Sequence, residues 1–341
     1  MDTAHSMTAS SAAVDSSPGR PVTPLSRLNF HRQPQPREDL VGELLNGLRQ
    51  PPRSIDPKFF YDSRGARLFD HITRLPEYYP TRVERQIYHS HSLEMAEELG
   101  SGRVLIEPGS GSSEKVTLLL EALRPDAYVP LEITESHLLE ASKRLVNRYP
   151  WLTVHAVCGD YSNGIDVPAG VPGGTRLLFF PGSTIGNFEP AGARRFLSRL
   201  HRACGEGGSL LIGVDLRKDP AVLNAAYNDA AGVTACFNLN ALHHINRLAD
   251  GDFDAANFRH RAFFNEDENR VEMHLESLRT QTVTLARESL SLARGECIHT
   301  ENSYKYTVDG FHALAAGSGF EPRRVWQDKA GWFSVLLLDA A

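Results

Sequence analysis

Short apolar runs alternate with longer helical stripes through the middle of the chain, and the stretches on either side keep a different rhythm. Residues 1 to about 37 hold much Ser, Pro, Ala and Thr without periodic apolar positions. They are expected to be a disordered leader, because they cannot bury enough surface to offset the entropy of ordering. EDLVGELLNGLRQ then carries a helical stripe that Pro51-Pro52 stops. Residues 55–99 read as mainly helical and include the aromatic cluster KFFYDSRGARLFDHITRLPEYYPTRVE ahead of the first strong strand. Residues 38–100 are therefore assigned to the N-terminal helical part of a second lobe.

From Arg103 the alternation is regular. VLIEP, AYVPLEIT, LTVHAVCGD, TRLLFFPGST and SLLIGVD read as buried strands. SEKVTLLLEAL, SHLLEASKRLVNRYP and EPAGARRFLSRLHRAC read as the helices between them. That pattern implies βαβ units and a parallel sheet. It breaks over residues 217–302, where the helical part PAVLNAAYNDAAGVTACFNLNALHHINRL is followed by the strand-like runs RVEMHLESLRTQTVTL and ESLSLARGE. The stretch is too long for a connection and is expected to be an inserted substrate-binding lobe. The tail resumes the core, with VDGFHALAAGSGF as a helix and RRVWQD and GWFSVLLLDA as a closing hairpin. The fold class expected is α/β, with a sheet domain over residues 101–216 and 303–341. A Rossmann-like seven-stranded sheet ending in an antiparallel hairpin is the arrangement of class I methyltransferases, whereas a dinucleotide-binding sheet normally stays parallel.

Composition narrows the picture further. The 341 residues are 41% hydrophobic and 23% charged, which is ordinary for a globular chain with a sizeable core. Net charge is −6 with both signs interspersed and no basic stripe, so nucleic acid is not expected as a partner. No apolar run approaches the roughly eighteen residues needed to span a bilayer, and no secretory h-region is present. The 4 cysteines are far apart, which argues against a zinc site or a disulfide framework and suits reduced thiols. A soluble, cytoplasmic monomer is expected. The 14 histidines, including His243-His244, show no metal-ligand spacing, so no metal is expected.

Candidate chemistry begins where the first core strand ends, at Glu107-Pro108-Gly109-Ser110-Gly111-Ser112-Ser113-Glu114-Lys115. Glycines there allow close backbone approach to a ligand, and a following helix would add unpaired N–H groups. A dinucleotide fingerprint needs a third glycine where Glu114 stands, and a phosphate loop needs Gly before the lysine, so neither fits. A sulfonium cofactor without phosphates suits this turn. Glu132 ends the second strand, where a carboxylate can take both ribose hydroxyls, and Asp160 ends the third, where an acid commonly meets an adenine amino group. Each alone would be an ordinary solvated strand-end acid. Together with the glycine turn they fall at successive strand ends, where open α/β sheets bind ligands.

Beyond the cofactor turn, the chain resembles the L-histidine Nα-methyltransferase family of ergothioneine biosynthesis, from about residue 50 to the C-terminus. The motifs are Phe60-Tyr61-Asp62, the run from Ile72 to Arg82, Gly182-Ser183-Thr184-Ile185-Gly186-Asn187, and Tyr227 with the run from Asp229 to Thr234. Glu272-Met273 and Glu301-Asn302-Ser303 complete the set. The resemblance implies S-adenosylmethionine as co-substrate, bound by Gly109, Lys115, Glu132, Asp160 and Tyr161. Glu132 stands where relatives carry Asp, and Tyr161 where they carry Phe. It also implies that free L-histidine is the acceptor, methylated three times on its α-amino nitrogen to give hercynine. Tyr61, Tyr78, Asn187 and Tyr227 would hold the amino-acid backbone, with Tyr61, Asn187 and Tyr227 at the reacting end. Glu301 and Ser303 would read the imidazole, and Met273 would line the pocket.

The chemistry of those residue types agrees with the resemblance. Methyl transfer to an amine is an in-line displacement that needs a nitrogen lone pair and positioning more than covalent help. Tyrosine rings also favour a methylated ammonium through cation–π attraction. A pocket of paired hydrogen-bonding groups rejects side chains that leave them unpaired. Singly, the tyrosines would be core residues, Asn187 a turn residue, Met273 core filler and Glu301 and Ser303 loop surface; only the joint set points to a site. The rival readings are another amine acceptor, a nicotinamide oxidoreductase, and a cofactor-binding regulatory module without catalysis.

Overall fold

In the computed structural model, residues 24–33, 39–161 and 164–341 are described; residues 1–23 and 34–37 of the expected leader lie outside them. The remainder of that segment is not a leader. Leu28–Arg32 form strand β1, which pairs in parallel with the strand Val154–Cys158. Just before it, the Arg27 guanidinium donates to the carbonyls of Val146 (2.8 Å), Tyr149 (2.9 Å) and Leu152 (3.1 Å). An edge strand is held by backbone pairing, which any side-chain pattern can supply, so LNFHR carries no apolar signal of its role.

Helix α1 (Leu40–Leu48) buries Leu44, Leu45 and Leu48, and a two-residue strand β2 (Arg53–Ser54) follows. Helix α2 (Ser63–Ile72) is capped by the Asp62 carboxylate, which accepts from Gly65 N. Helix α3 (Tyr79–Leu99) starts with Pro80 in its first turn, where the missing N–H is not needed. The core then runs β3 (Val104–Pro108), α4 (Thr117–Leu123), β4 (Ala127–Glu132), α5 (Glu135–Arg148), β5 (Val154–Cys158), β6 (Arg176–Phe180), α6 (Pro190–Cys204) and β7 (Ser209–Asp215). The insert contains α7 (Pro220–Tyr227), α8 (Val233–Ala249), β8 (Phe258–Asn265), β9 (Arg270–Ser277), β10 (Gln281–Leu285), β11 (Glu288–Leu292) and β12 (Cys297–Tyr304). Helix α9 (Val308–Ala316) and the hairpin β13 (Phe320–Gln327) and β14 (Phe333–Ala340) close the chain.

The main sheet has order β1-β5-β4-β3-β6-β7-β14-β13, with β14 antiparallel to both neighbours. It is the expected α/β sheet with its closing hairpin, one strand wider because of β1. Residues alternate between two cores. Leu105, Tyr128 and Phe179 pack on one face with Tyr88 of α3 and Leu119 of α4. Val104, Ile106 and Phe180 pack on the other with Phe196 of α6 and Phe311 of α9. Strand order reverses between β3 and β6, which opens the crevice in which ligands of such sheets sit.

The second lobe is built on a four-stranded sheet, β2-β12-β9-β8. The N-terminal segment and the insert meet there, through the pairs Ile298↔Arg53 and His299↔Ser54. Three expected boundaries move. Helix α3 packs on the main sheet, with the Tyr88 and Phe179 rings 5.5 Å apart, so it belongs to that layer rather than to the lobe. Strand β12 runs through Tyr304, so the boundary placed between residues 302 and 303 falls inside a strand. The single helical run of the insert splits into α7 and α8, because the Asp229 carboxylate accepts from Val233 N and Thr234 N and starts a new helix.

Candidate active site

The carboxyl ends of β3, β4 and β5 lie side by side, with Pro108 opposite Leu131 and Glu132 opposite Cys158. Backbone bonds knit the loops beyond them: Ser110 N to Leu131 O at 3.0 Å, and Gly159 N to Glu132 O at 3.1 Å. The Glu132 carboxylate accepts from Gly111 N at 3.1 Å and from Thr134 N at 3.0 Å. A carboxylate has about four acceptor positions, so Glu132 keeps capacity for a pair of hydroxyls. Gly109 has φ 68°, and a Cβ there would lie 3.0 Å from the Tyr161 ring. Gly111, at φ 50°, has open space where a Cβ would be. The turn is therefore a bare-backbone cradle with an acid on its rim, which fits a nucleoside carrying no phosphate. The expected helix at its back is only seven residues long and starts at Thr117, so Lys115 lies in the turn ahead of it. Lys115 Nζ donates to Glu84 of α3 at 2.5 Å. Asp160 lies just beyond the end of β5, after Gly159, and Tyr161 packs edge-on to Phe180 and Phe196 at 6.3 and 6.0 Å.

The acceptor candidates come from six separate parts of the chain and converge. Tyr61 ends the turn Pro57–Phe60 and packs edge-on to Phe69 and Phe237 at 5.9 and 5.8 Å. Tyr78 caps α3 and meets the Tyr227 ring at 6.3 Å. Asn187 ends the turn Thr184–Asn187, and its Nδ2 donates to Glu301 Oε1 at 3.2 Å. Tyr227, the last residue of α7, donates its hydroxyl to Ser303 Oγ at 2.7 Å. Met273 of β9 is buried and pairs directly with Glu301 of β12.

Electrostatics tie the group together. Burial pushes the Glu301 carboxyl up to about 7, against the pull of Lys305 and the Asn187 bond. Burial first, then the charge of Glu301, also holds the Tyr61 and Tyr227 hydroxyls well above their ordinary value. Tyr78 is held up likewise by burial, Tyr227 and Glu301. These tyrosines stay protonated near neutrality, which makes them hydrogen-bonding partners rather than bases.

Several site residues carried no sequence signal. Glu84, fully buried on α3, accepts from Gly182 N at 2.7 Å as well as from Lys115, and so joins the glycine turn to the loop that carries Asn187. Asp215, at the end of β7, is buried and takes Lys305 at 2.8 Å, Lys218 at 2.6 Å and the Tyr79 hydroxyl at 2.7 Å. Burial pushes its pKa up, but Lys305 and Lys218 prevail and hold it below the ordinary value. A buried acid ending an apolar strand was the one available hint.

The structure also gathers Glu272, His274 and His299, whose ligand atoms lie within 4.8 Å of one another. Their hydrogen-bonding capacity is already committed. Glu272 Oε1 accepts from Arg270 Nε and Asn265 Nδ2, both at 2.9 Å, and its Oε2 pairs with His274 Nε2 at 2.9 Å. The two imidazoles stack at 4.8 Å and His299 Nε2 meets the Glu301 carbonyl at 3.1 Å, so the cluster reads as a hydrogen-bonded stack. It faces away from the acceptor site. A register shift between His299 and Glu301 turns those two residues to opposite sides of the sheet, His299 beside His274 and Glu301 beside Met273.

A Rossmann-like sheet with a closing antiparallel hairpin and a glycine turn at the end of its first core strand is the arrangement of class I S-adenosylmethionine-dependent methyltransferases. Residues 40–340 match the family model described as "Histidine-specific methyltransferase, SAM-dependent", and the chain belongs to that family. It is 42% identical over 320 residues to a histidine N-alpha-methyltransferase of Mycolicibacterium smegmatis, covering 92% of this chain and 98% of that one. It is 32% identical over 296 residues to ergothioneine biosynthesis protein 1 of Neurospora crassa, covering 81% of this chain and 32% of that larger one. It is 28% identical over 326 residues to a 4-dimethylallyltryptophan N-methyltransferase of Epichloe festucae var. lolii, covering 86% and 92%. No helix among the described residues is long and apolar enough to cross a membrane.

Proposed function

We propose that this enzyme transfers three methyl groups to the α-amino nitrogen of free L-histidine, yielding the trimethylated betaine hercynine for ergothioneine biosynthesis. The observation that carries the reading is a pair of contacts. Asn187 bonds Glu301 at 3.2 Å and Tyr227 bonds Ser303 at 2.7 Å, so two of the four backbone-holding candidates each touch a ring-reading candidate. Glu301 accepts one ring N–H, Ser303 serves the other nitrogen, and Met273 packs against the ring. Tyr61, Tyr78, Asn187 and Tyr227 orient the α-amine and carboxylate.

Gly109, Lys115, Glu132, Asp160 and Tyr161 would hold S-adenosylmethionine, which when bound supplies an electrophilic methyl on a sulfonium. The chain's own part is to hold the amine lone pair in line and to exclude water. Aromatic faces at Tyr61, Tyr78 and Tyr227 favour the growing ammonium. A quaternary nitrogen has no lone pair, so the reaction stops itself at three methyls.

The test is mass spectrometry of L-histidine incubated with the enzyme and S-adenosylmethionine. Successive gains of one, two and three methyls are expected. Turnover of tryptophan or a free biogenic amine in preference to histidine would overturn the acceptor assignment.

A further inference from the structure

In that reading Ser303 serves one ring nitrogen, and a hydroxyl can do so either as donor or as acceptor. The residues behind Ser303 remove the choice. The Lys305 side chain, two positions on, is 1% exposed. Its Nζ donates to Asp215 Oδ2 at 2.8 Å, to Ser303 Oγ at 2.7 Å and to Tyr227 Oη at 3.2 Å. An ammonium has three hydrogens and accepts nothing, so all of its bonds have an assigned direction. Tyr227 passes its own hydrogen to the same Ser303 oxygen at 2.7 Å. Both lone pairs of Ser303 Oγ are then occupied, and its hydrogen is the part left for a ligand.

We infer that Lys305 is a positioning residue that makes Ser303 an obligate donor and thereby selects the neutral imidazole, lone-pair nitrogen toward Ser303 and N–H toward Glu301. The inference rests on the histidine reading above. An imidazolium carries two N–H groups and no lone pair, so against Ser303 it would set hydrogen against hydrogen. An indole or phenyl ring would leave the Ser303 hydrogen unpaired. The charged and titratable groups around Lys305 are Asp215 of β7, Lys218 just after it, Tyr79 of α3, Tyr227 of α7 and Glu301 of β12. Asp215 is the anchor: with its carboxylate fixed by Tyr79 and Lys218, the Lys305 ammonium is held behind Ser303 without touching the acceptor itself.

Without Lys305 the buried Asp215 carboxylate keeps Lys218 at 2.6 Å and the Tyr79 hydroxyl at 2.7 Å, so the test is Lys305→Met alone. A retained melting temperature and retained S-adenosylmethionine affinity show that the variant folds. Calorimetry of histidine binding in buffers of different ionisation enthalpy, with S-adenosylhomocysteine bound and at pH 5.5, then counts protons released. The intact enzyme is expected to release about two per histidine, one from the ring (free pKa ~6.5) and one from Glu301. The variant is expected to release about one, because Ser303 can now accept from a protonated ring. In steady state, Lys305→Met is expected to cost about tenfold in kcat/KM for histidine, mostly in KM, and under about threefold in a Ser303→Ala background. Equal proton release by both proteins, or the same loss with and without Ser303, would overturn the inference while leaving the acceptor assignment standing. Failure of the intact enzyme to methylate histidine would overturn both.

Discussion

Replacing Glu301 separates acceptor recognition from cofactor binding more cleanly than any other single change. Among the described residues the carboxylate has one protein donor, Asn187 Nδ2 at 3.2 Å, which leaves further acceptor capacity for a ring N–H. Glu301→Gln keeps an acceptor oxygen but removes the charge. A hydrogen bond to a charged group contributes about 1.5–3 kcal/mol, so kcat/KM for histidine should fall roughly 10- to 160-fold. Glu301→Ala also leaves the Asn187 amide without its partner, and the loss should be larger, about 2–4 kcal/mol. S-adenosylmethionine affinity should hardly change in either variant. The pH dependence follows from burial, which pushes this carboxyl up to about 7. The ionised form accepts from the ring more strongly than the protonated form, so kcat/KM should climb from pH 6 to 8 in the intact enzyme, and this part of the climb should vanish in Glu301→Gln. Stability moves the opposite way. A folded-state pKa above the unfolded value of about 4.3 stabilises the fold below that pH, and the contribution is lost as pH rises through 7. Glu301→Gln should therefore melt higher than the parent at pH 8, with the gap closing toward pH 4. Steady-state kinetics and thermal melts across that range are the assay. Kinetics within about twofold of the parent for both variants, as for an exposed surface change, would refute the reasoning.

Glu132→Ala and Asp160→Ala should each weaken S-adenosylmethionine binding by about 1.5–3 kcal/mol in calorimetry, with little change in histidine affinity once the cofactor is bound. For Glu132 the glycine turn should also loosen, since its carboxylate holds Gly111 N and Thr134 N. A chain starting at residue 34 should melt several degrees below one starting at residue 24, because it loses β1 and the three Arg27 bonds to the end of α5 and the turn after it. The bared edge of β5 should also raise its tendency to aggregate, readable by light scattering.

Much of the main sheet is legible without coordinates, because a buried parallel strand is a nearly continuous apolar run, and VLIEP, VHAVC and SLLIGVD are mostly apolar. The cofactor side is legible for a related reason. Its residues sit at strand ends, and strand ends in sequence are strand ends in space, so Gly109, Glu132 and Asp160 can be placed together by counting. Strand β1 escapes the same logic, since an edge strand draws its stability from backbone bonds that leave no mark on side-chain pattern. The two-residue β2 escapes it too, being shorter than any period.

The acceptor site depends on contacts between residues 76 and 114 positions apart. A motif match can nominate Asn187 and Glu301, but only folding brings them to 3.2 Å across 114 positions, and Tyr227 to Ser303 across 76. The register shift in β12 is decided there as well: a regular strand would turn His299 and Glu301 to the same side, and the irregularity between them sends one to the histidine stack and the other to the pocket. Lys305, Asp215 and Glu84 show the limit most plainly. In sequence they are ordinary charges that belong on a surface, because an unpaired charge cannot be buried. Only the tertiary structure supplies the partners that let them lie inside.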